Sequence, residues 1–214
     1  MLKVRNLDIG FSQNLLVSRA NFQFEKNVIY AIKGDNGIGK TTFLKTLNGF
    51  IKPLDGNIFL NELNINKFSI KEKSEIFSTL FSRHEIDSFI SVNEIFEFSL
   101  GSNFRKNSNH LDFNKTLNYF SITHLFERKF GELSDGQKQI VLIVRALMKK
   151  SKIYFLDEPT IYLDLKTKKL LSKFLKDYFF NKNSIVIMIS HDQRFIEDTA
   201  DSIIEIKNGI LNSI

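Results

Sequence analysis

The amino-acid sequence predicts an α/β fold built on a parallel sheet, and three observations carry that prediction. Short continuous apolar runs stand at residues 28–32, 153–156 and 184–189, the pattern of strands covered on both faces. Helical patterns follow the first two: residues 40–48 stop at Gly49 and Pro53, and residues 165–180 bring Leu170, Leu171, Phe174, Leu175 and Tyr178 to one face. The first run opens directly into a glycine-rich turn that leads the first helix. Strand then helix, repeated, is the order of parallel strands with crossover helices.

Around this core the other elements follow in order. Leu7, Ile9 and Phe11 alternate with polar residues, and Phe22 and Phe24 precede a turn at residues 25–27, which predicts a half-exposed antiparallel edge at the N-terminus. In the middle the strand–helix alternation breaks. Ser91 with Glu94 is a capping box, Gly101 stops that helix, and a second helix starts near Asp112. A third runs over about 136–150, with Ile140, Ile143, Val144, Leu147 and Met148 on its apolar stripe. Asn208-Gly209 between apolar runs reads as a hairpin turn.

Composition sets the bounds. With 214 residues, 43% hydrophobic and 25% charged, the chain can bury a sizeable core, which excludes a disordered or collagen-like chain. It has no cysteine, so disulfides, thiolate zinc sites and a cysteine nucleophile are excluded. A net charge of +6 permits an anionic partner without demanding one. No apolar run approaches the roughly 18 residues needed to cross a bilayer. Residues 1–10 scatter charge among alternating apolar residues, unlike a secretory signal, so the expected location is cytoplasmic.

Gly34-Asp35-Asn36-Gly37-Ile38-Gly39-Lys40-Thr41 fits G-x-x-x-x-G-K-[ST] between a buried strand and a helix start, the P-loop of nucleoside-triphosphate-binding proteins. Glycines let the backbone wrap a phosphate, Lys40 reaches the β- and γ-phosphates, the Thr41 hydroxyl ligates Mg²⁺, and Thr42 adds a phosphate contact. Residues 153–158 supply the second requirement. Asp157 ends an apolar strand and holds Mg²⁺ through its water shell, while Glu158 points the other way and polarises an attacking water.

Leu133-Ser134-Asp135-Gly136-Gln137 opens the third helix upstream of Asp157. With these residues the chain resembles the nucleotide-binding subunit of ABC transporters, whose signature reads L-S-G-G-Q at this place. The resemblance covers essentially all of residues 1–214 as one ATPase domain. It implies a RecA-like α/β core, an N-terminal antiparallel β subdomain and a helical subdomain inserted at about 89–150. It further implies that two subunits, a homodimer or a pair of different ATPase chains, pack head to tail. Ser134, Gly136 and Gln137 of one would then meet ATP held by Lys40 of the other. Asp135 replaces the family's first glycine, and a carboxylate is unhelpful near a triphosphate unless it points outward. An N-cap serine before an ordinary helix is the bland reading of the same pentapeptide.

Further positions follow from the resemblance. Residues 159–164 resemble the D-loop, with Ile161 and Tyr162 where Ser-Ala is usual and Asp164 retained. His191 resembles the switch histidine that contacts the γ-phosphate. Phe11 is placed like the aromatic that stacks on adenine, with an ordinary core phenylalanine as the alternative. The largest departure is the Q-loop, Thr79-Leu80-Phe81-Ser82-Arg83-His84, where Ser82 stands for the glutamine that ligates Mg²⁺. Some iron-chelate importer ATPases carry a threonine near this place, a second and weaker resemblance.

The implied function is hydrolysis of MgATP to power solute movement through separate membrane-spanning permease subunits, at the inner face of the cell membrane. Glu158, His191 and Lys40 form the catalytic set. A soluble ABC-type ATPase acting on nucleic acid or ribosomes is the first alternative, although the stretch between Thr41 and Leu133 is too short for a long coiled coil and nucleic acid is not the expected partner. A nucleotide sensor without turnover is the second; the retained Glu158 and His191 argue against it.

Overall fold

The structure, a computed structural model, describes residues 1–12, 14–82, 86–101 and 111–214. Its centre is β3 (Val28–Lys33), which pairs in parallel with β8 (Ile185–Ile189) and β9 (Ser202–Lys207). β7 (Ile153–Asp157) and β6 (Phe77–Leu80) extend the sheet beyond β8, and β10 (Ile210–Ser213) closes the other edge antiparallel to β9. The β9–β10 turn is the expected one, with Asn208 and Gly209 at φ 51° and 73°.

Continuous apolar runs are needed because this sheet is covered on both faces. Ile29 and Ala31 of β3, Tyr154 and Leu156 of β7, and Val186 and Met188 of β8 enter one core. Tyr30 and Ile32, Ile153 and Phe155, and Ile185, Ile187 and Ile189 enter the other. The second core is roofed by an antiparallel sheet of order β2-β1-β4-β5, formed by β1 (Leu2–Phe11), β2 (Asn14–Phe24), β4 (Asp55–Leu60) and β5 (Leu63–Asn64). Helix α1 (Lys40–Leu47) lies in the same core through Phe43, Leu44 and Leu47. The N-terminal strands are half-exposed, as their alternation implies: Leu2, Val4, Leu7 and Ile9 are covered by this packing while Arg5, Asn6 and much of β2 face outward.

α2 (Ile70–Ile76) buries no residue, so it has no apolar stripe for periodicity to detect; its capping box of Ser69 and Glu72 is its mark. Between β6 and β7 stand α3 (Val92–Leu100), α4 (Leu111–Tyr119) and α5 (Asp135–Met148). α3 has the expected Ser91–Glu94 capping box and ends at Gly101, φ 88°. Rings of Phe96 and Phe126 stack at 5.4 Å, with Phe113 edge-on to Phe96 at 5.5 Å, and tie these helices together. α6 (Leu165–Phe179) and α7 (Gln193–Thr199) complete the chain's helices among the described residues.

One consequence of the parallel register matters most. Ile32 of β3 stands level with Ile189 of β8, and Ile189 level with Asp157 of β7. Three strands therefore end side by side, and the segments that follow them share one edge of the sheet, the place where open α/β sheets take their ligands. Phe155 is fully buried in the middle of β7 against Phe77, ring centroids 5.6 Å apart. Phe155→Ala should cost about 3–5 kcal/mol of stability in urea unfolding.

Candidate active site

The loop after β3 takes left-handed or otherwise glycine-favoured backbone at Gly34, Gly37 and Gly39, with φ of 149°, 78° and 108°. A Cβ on Gly34 would lie 2.6 Å from the carbonyl oxygen of Ile206, so the loop is seated against β9. Gly39 is the N-cap of α1 and places no side chain over the helix's first turn. The N–H groups there and the helix dipole thus present an anion site. Lys40, 6% exposed, crosses the loop and donates from Nζ to the carbonyls of Gly34 at 2.7 Å and Asp35 at 2.9 Å. Burial lowers its pKa, against the attraction of Glu158, Asp35 and Asp157. Asp35 and Asn36 are exposed at the loop's outer bend, Ile38 packs into the core below it, and Thr42 lies in the first turn of α1.

Beside Lys40, oxygen atoms converge. Thr41 Oγ1 lies 3.3 Å from each carboxylate oxygen of Asp157, and Ser82 Oγ donates to Asp157 Oδ2 at 3.0 Å. Asp157 is buried at 1% exposure. Among the described residues no group of three His, Cys, Asp or Glu forms a metal site, but Mg²⁺ does not require one. A single carboxylate and two hydroxyls from separate segments suit a hard cation that keeps several waters. The donor set therefore fits Mg²⁺, and Ser82 reaches Asp157 despite its short side chain. Arg83 and His84 of the same segment lie outside the described residues.

Glu158 follows Asp157 with φ 51°, which turns its side chain away from the metal oxygens toward the end of β8. Its Oε2 accepts from the His191 backbone N–H at 3.3 Å, and its Oε1 is buried without a hydrogen bond, 3.4 Å from His191 Nε2. Burial raises the Glu158 pKa, and the facing His191 works against that rise. A buried carboxylate with one oxygen uncommitted, beside a half-exposed imidazole, is suited to accept a proton from water or orient it.

The remaining predicted residues stand apart from this cluster. Ser134 caps α5, accepting from Gln137 N–H at 3.3 Å, while Gln137 Oε1 accepts from Ser134 N–H at 3.0 Å. Ser134 is thus the N-cap of α5, and Gln137 serves the helix end. Asp135 turns outward to Lys138, 3.6 Å away, which offsets its charge. Gly136 lies against the D-loop segment, where a Cβ would stand 3.0 Å from the Tyr162 carbonyl oxygen. Asp164 caps α6 by accepting from Thr167 N–H at 2.7 Å, and that bond holds its carboxyl below the usual range. Among the described residues, no hydrogen bond or ion pair joins Ser134, Gly136 or Asp164 to the Lys40 loop. Phe11 is 57% exposed at the tip of the β1–β2 hairpin, which corrects the core alternative; Leu16 of that hairpin packs over Gly39.

The Thr160–Ser190 hydroxyl pair, 3.2 Å apart, belongs to this region, as does Gln139, which lies outside every motif of the sequence. Their signal in the sequence is weak: Gln139 is a polar residue on the buried stripe of α5.

The profile of the ABC transporter family matches residues 17–161. The chain belongs to that family. It is 25% identical over 213 residues to the high-affinity zinc uptake system ATP-binding protein of Bacillus subtilis, covering 98% of this chain and 92% of that one. To the molybdate import ATP-binding protein of Haemophilus influenzae it is 32% identical over 194 residues, covering 89% and 72%. Among solved structures, an ABC transporter ATP-binding protein from Pyrococcus furiosus superposes with a TM-score of 0.80 at 28% identity over 96% of each chain. A dimeric cassette bound to ADP and Pi has the same fold, with a TM-score of 0.81 at 22% identity over 100% of this chain and 98% of that one. As an ABC transporter ATP-binding subunit the chain is an ATPase.

Two expectations follow. If hydrolysis needs Glu158 ionised, the rise that burial gives its pKa should make kcat/KM for ATP fall with decreasing pH at a higher pH than an ordinary glutamate would give, as a pH–rate profile would record. Ser82→Ala removes one hydroxyl from the Asp157 cluster, so the Mg²⁺ concentration for half-maximal hydrolysis should rise severalfold in a magnesium titration.

Proposed function

We propose that the chain hydrolyses MgATP while two such subunits, identical or paired with a different ATPase chain, close head to tail on two nucleotides. Reopening after hydrolysis drives solute import through separate membrane-spanning permease subunits, with the ATPase peripheral on the cytoplasmic face of the membrane. Residues 1–214 act as one ATPase domain, the helical subdomain at about 89–150 inserted in its core.

The observation that carries the reading is the convergence of Lys40, the Thr41–Asp157–Ser82 oxygens and the Glu158–His191 pair at the ends of four adjacent strands. Lys40 and the α1 N–H groups bind the β- and γ-phosphates and oppose charge developing on the transferred group. Thr41, Asp157 and Ser82 would hold Mg²⁺, which when bound would supply further charge neutralisation there. Glu158 orients and polarises the attacking water, and His191 steadies the γ-phosphate. Ser134 and Gly136 do not reach the loop of their own chain, which supports their serving the nucleotide of the opposite subunit. The outward Asp135–Lys138 pair is compatible with that role.

Import is supported by the names of several relatives, which are uptake or import ATP-binding proteins for zinc, molybdate and spermidine or putrescine. Their cargoes differ while the cassette is shared, so solute choice belongs to the membrane and receptor components. Among the described residues no helix is long and apolar enough to cross a membrane, which fits a separate permease.

Glu158→Gln tests the whole reading. Steady phosphate release should fall by roughly 100-fold or more, ATP binding should persist, and MgATP should convert the variant to a dimer on size-exclusion chromatography. Undiminished turnover, or a variant that stays monomeric with its permease present, would overturn it.

A further inference from the structure

Gln139 sits on α5 about one turn beyond the Ser134–Gly136 tip and is 5% exposed. A primary amide so buried is costly unless its polar atoms are satisfied. Its Nε2 donates to two consecutive carbonyls outside its own helix, those of Glu158 at 3.3 Å and Pro159 at 3.1 Å. These carbonyls form the turn that aims Glu158, and Glu158 is held there in left-handed backbone, φ 51°, unusual for a residue with a Cβ.

The turn is clamped on its other sides by the sheet. Glu158 N–H donates to the Ile189 carbonyl at 2.9 Å, and Ile161 N–H donates back to the Glu158 carbonyl at 3.3 Å. Thr160 Oγ1 meets Ser190 Oγ at 3.2 Å, and Ser190 Oγ accepts from Asp192 N–H at 3.1 Å. Strand ends β7 and β8 thus hold each other directly, whereas Gln139 attaches the turn to α5. That helix carries the residues assigned above to the opposite subunit's nucleotide.

We infer that Gln139 is a positioning residue for hydrolysis: it fastens the Glu158 turn to α5, so that seating of the Ser134 tip on one nucleotide sets the aim of Glu158 at the other. The inference rests on the functional reading above and adds a physical link between the two sites. A 14-residue helix is stiff enough to carry a shift of its tip to a contact one turn away. Small misplacement of a catalytic carboxylate is costly, about 100-fold for 1 Å.

The test compares the unsubstituted chain with Gln139→Leu and with Gln139→Met, which keeps side-chain length while removing the donor. Each is measured for kcat, ATP dissociation constant and thermal midpoint. The expected result is a kcat lowered roughly 10- to 100-fold with an ATP affinity within about twofold of the unsubstituted chain and an unmoved thermal midpoint. An unchanged kcat in a folded variant overturns the inference. So does a parallel loss of affinity, thermal midpoint and kcat, which marks a structural role alone.

Should both variants fail to fold, the ¹⁵N-labelled side-chain amide of Gln139 is followed in the folded Glu158→Gln chain. Its resonance should shift when MgATP closes the dimer, and an unmoved resonance overturns the inference. Absence of ATPase activity in the unsubstituted chain counts against the functional reading instead, so the two failures are distinguishable.

Discussion

The parallel pairing of β3, β8 and β7 is the constraint from which the rest of the site follows. Evenly spaced backbone bonds hold Ile32, Ile189 and Asp157 level, so the P-loop, the His191 segment and the Asp157-Glu158 turn leave the sheet together. A slip of one residue would rotate every side chain of a strand to the other face. Because both faces are buried, the two cores of alternating residues make such a slip costly. Precision at the site is thus inherited from apolar packing many ångströms below it.

Electrostatics at that edge is arranged by burial as much as by pairing. Desolvation lowers the Lys40 pKa and raises that of Glu158, each in the sense that weakens the charged form. Asp157 has two hydroxyl neighbours, Thr41 and Ser82. Neighbouring carboxylates on consecutive residues consequently have different surroundings: one among oxygen donors suited to a cation, the other against an imidazole with one oxygen uncommitted. The positive φ at Glu158 is what separates them.

Two departures from the family pattern are absorbed locally. Ser82, where the family resemblance implies a glutamine, still reaches Asp157, because the segment after β6 runs beside the end of β7. Asp135 in the signature is drawn to Lys138 one turn along α5, an exposed pair that contributes little stability but turns the carboxylate's charge outward. Neither change disturbs the capping box of Ser134 and Gln137.

The sequence by itself determined the α/β order, the buried strands, the P-loop, the acidic pair and the helix starts marked by Ser91 and Ser134. Each of these is written in neighbouring residues, as apolar periodicity, glycine turns or capping chemistry. The tertiary structure decided that Ser82 approaches Asp157, that Glu158 faces His191 and that Gln139 holds the Glu158 turn. It also exposed Phe11 and left α2 without a buried residue. These are contacts between segments far apart in the chain, set by strand register and helix docking. A residue's own neighbours carry no record of which distant strand end will stand beside it.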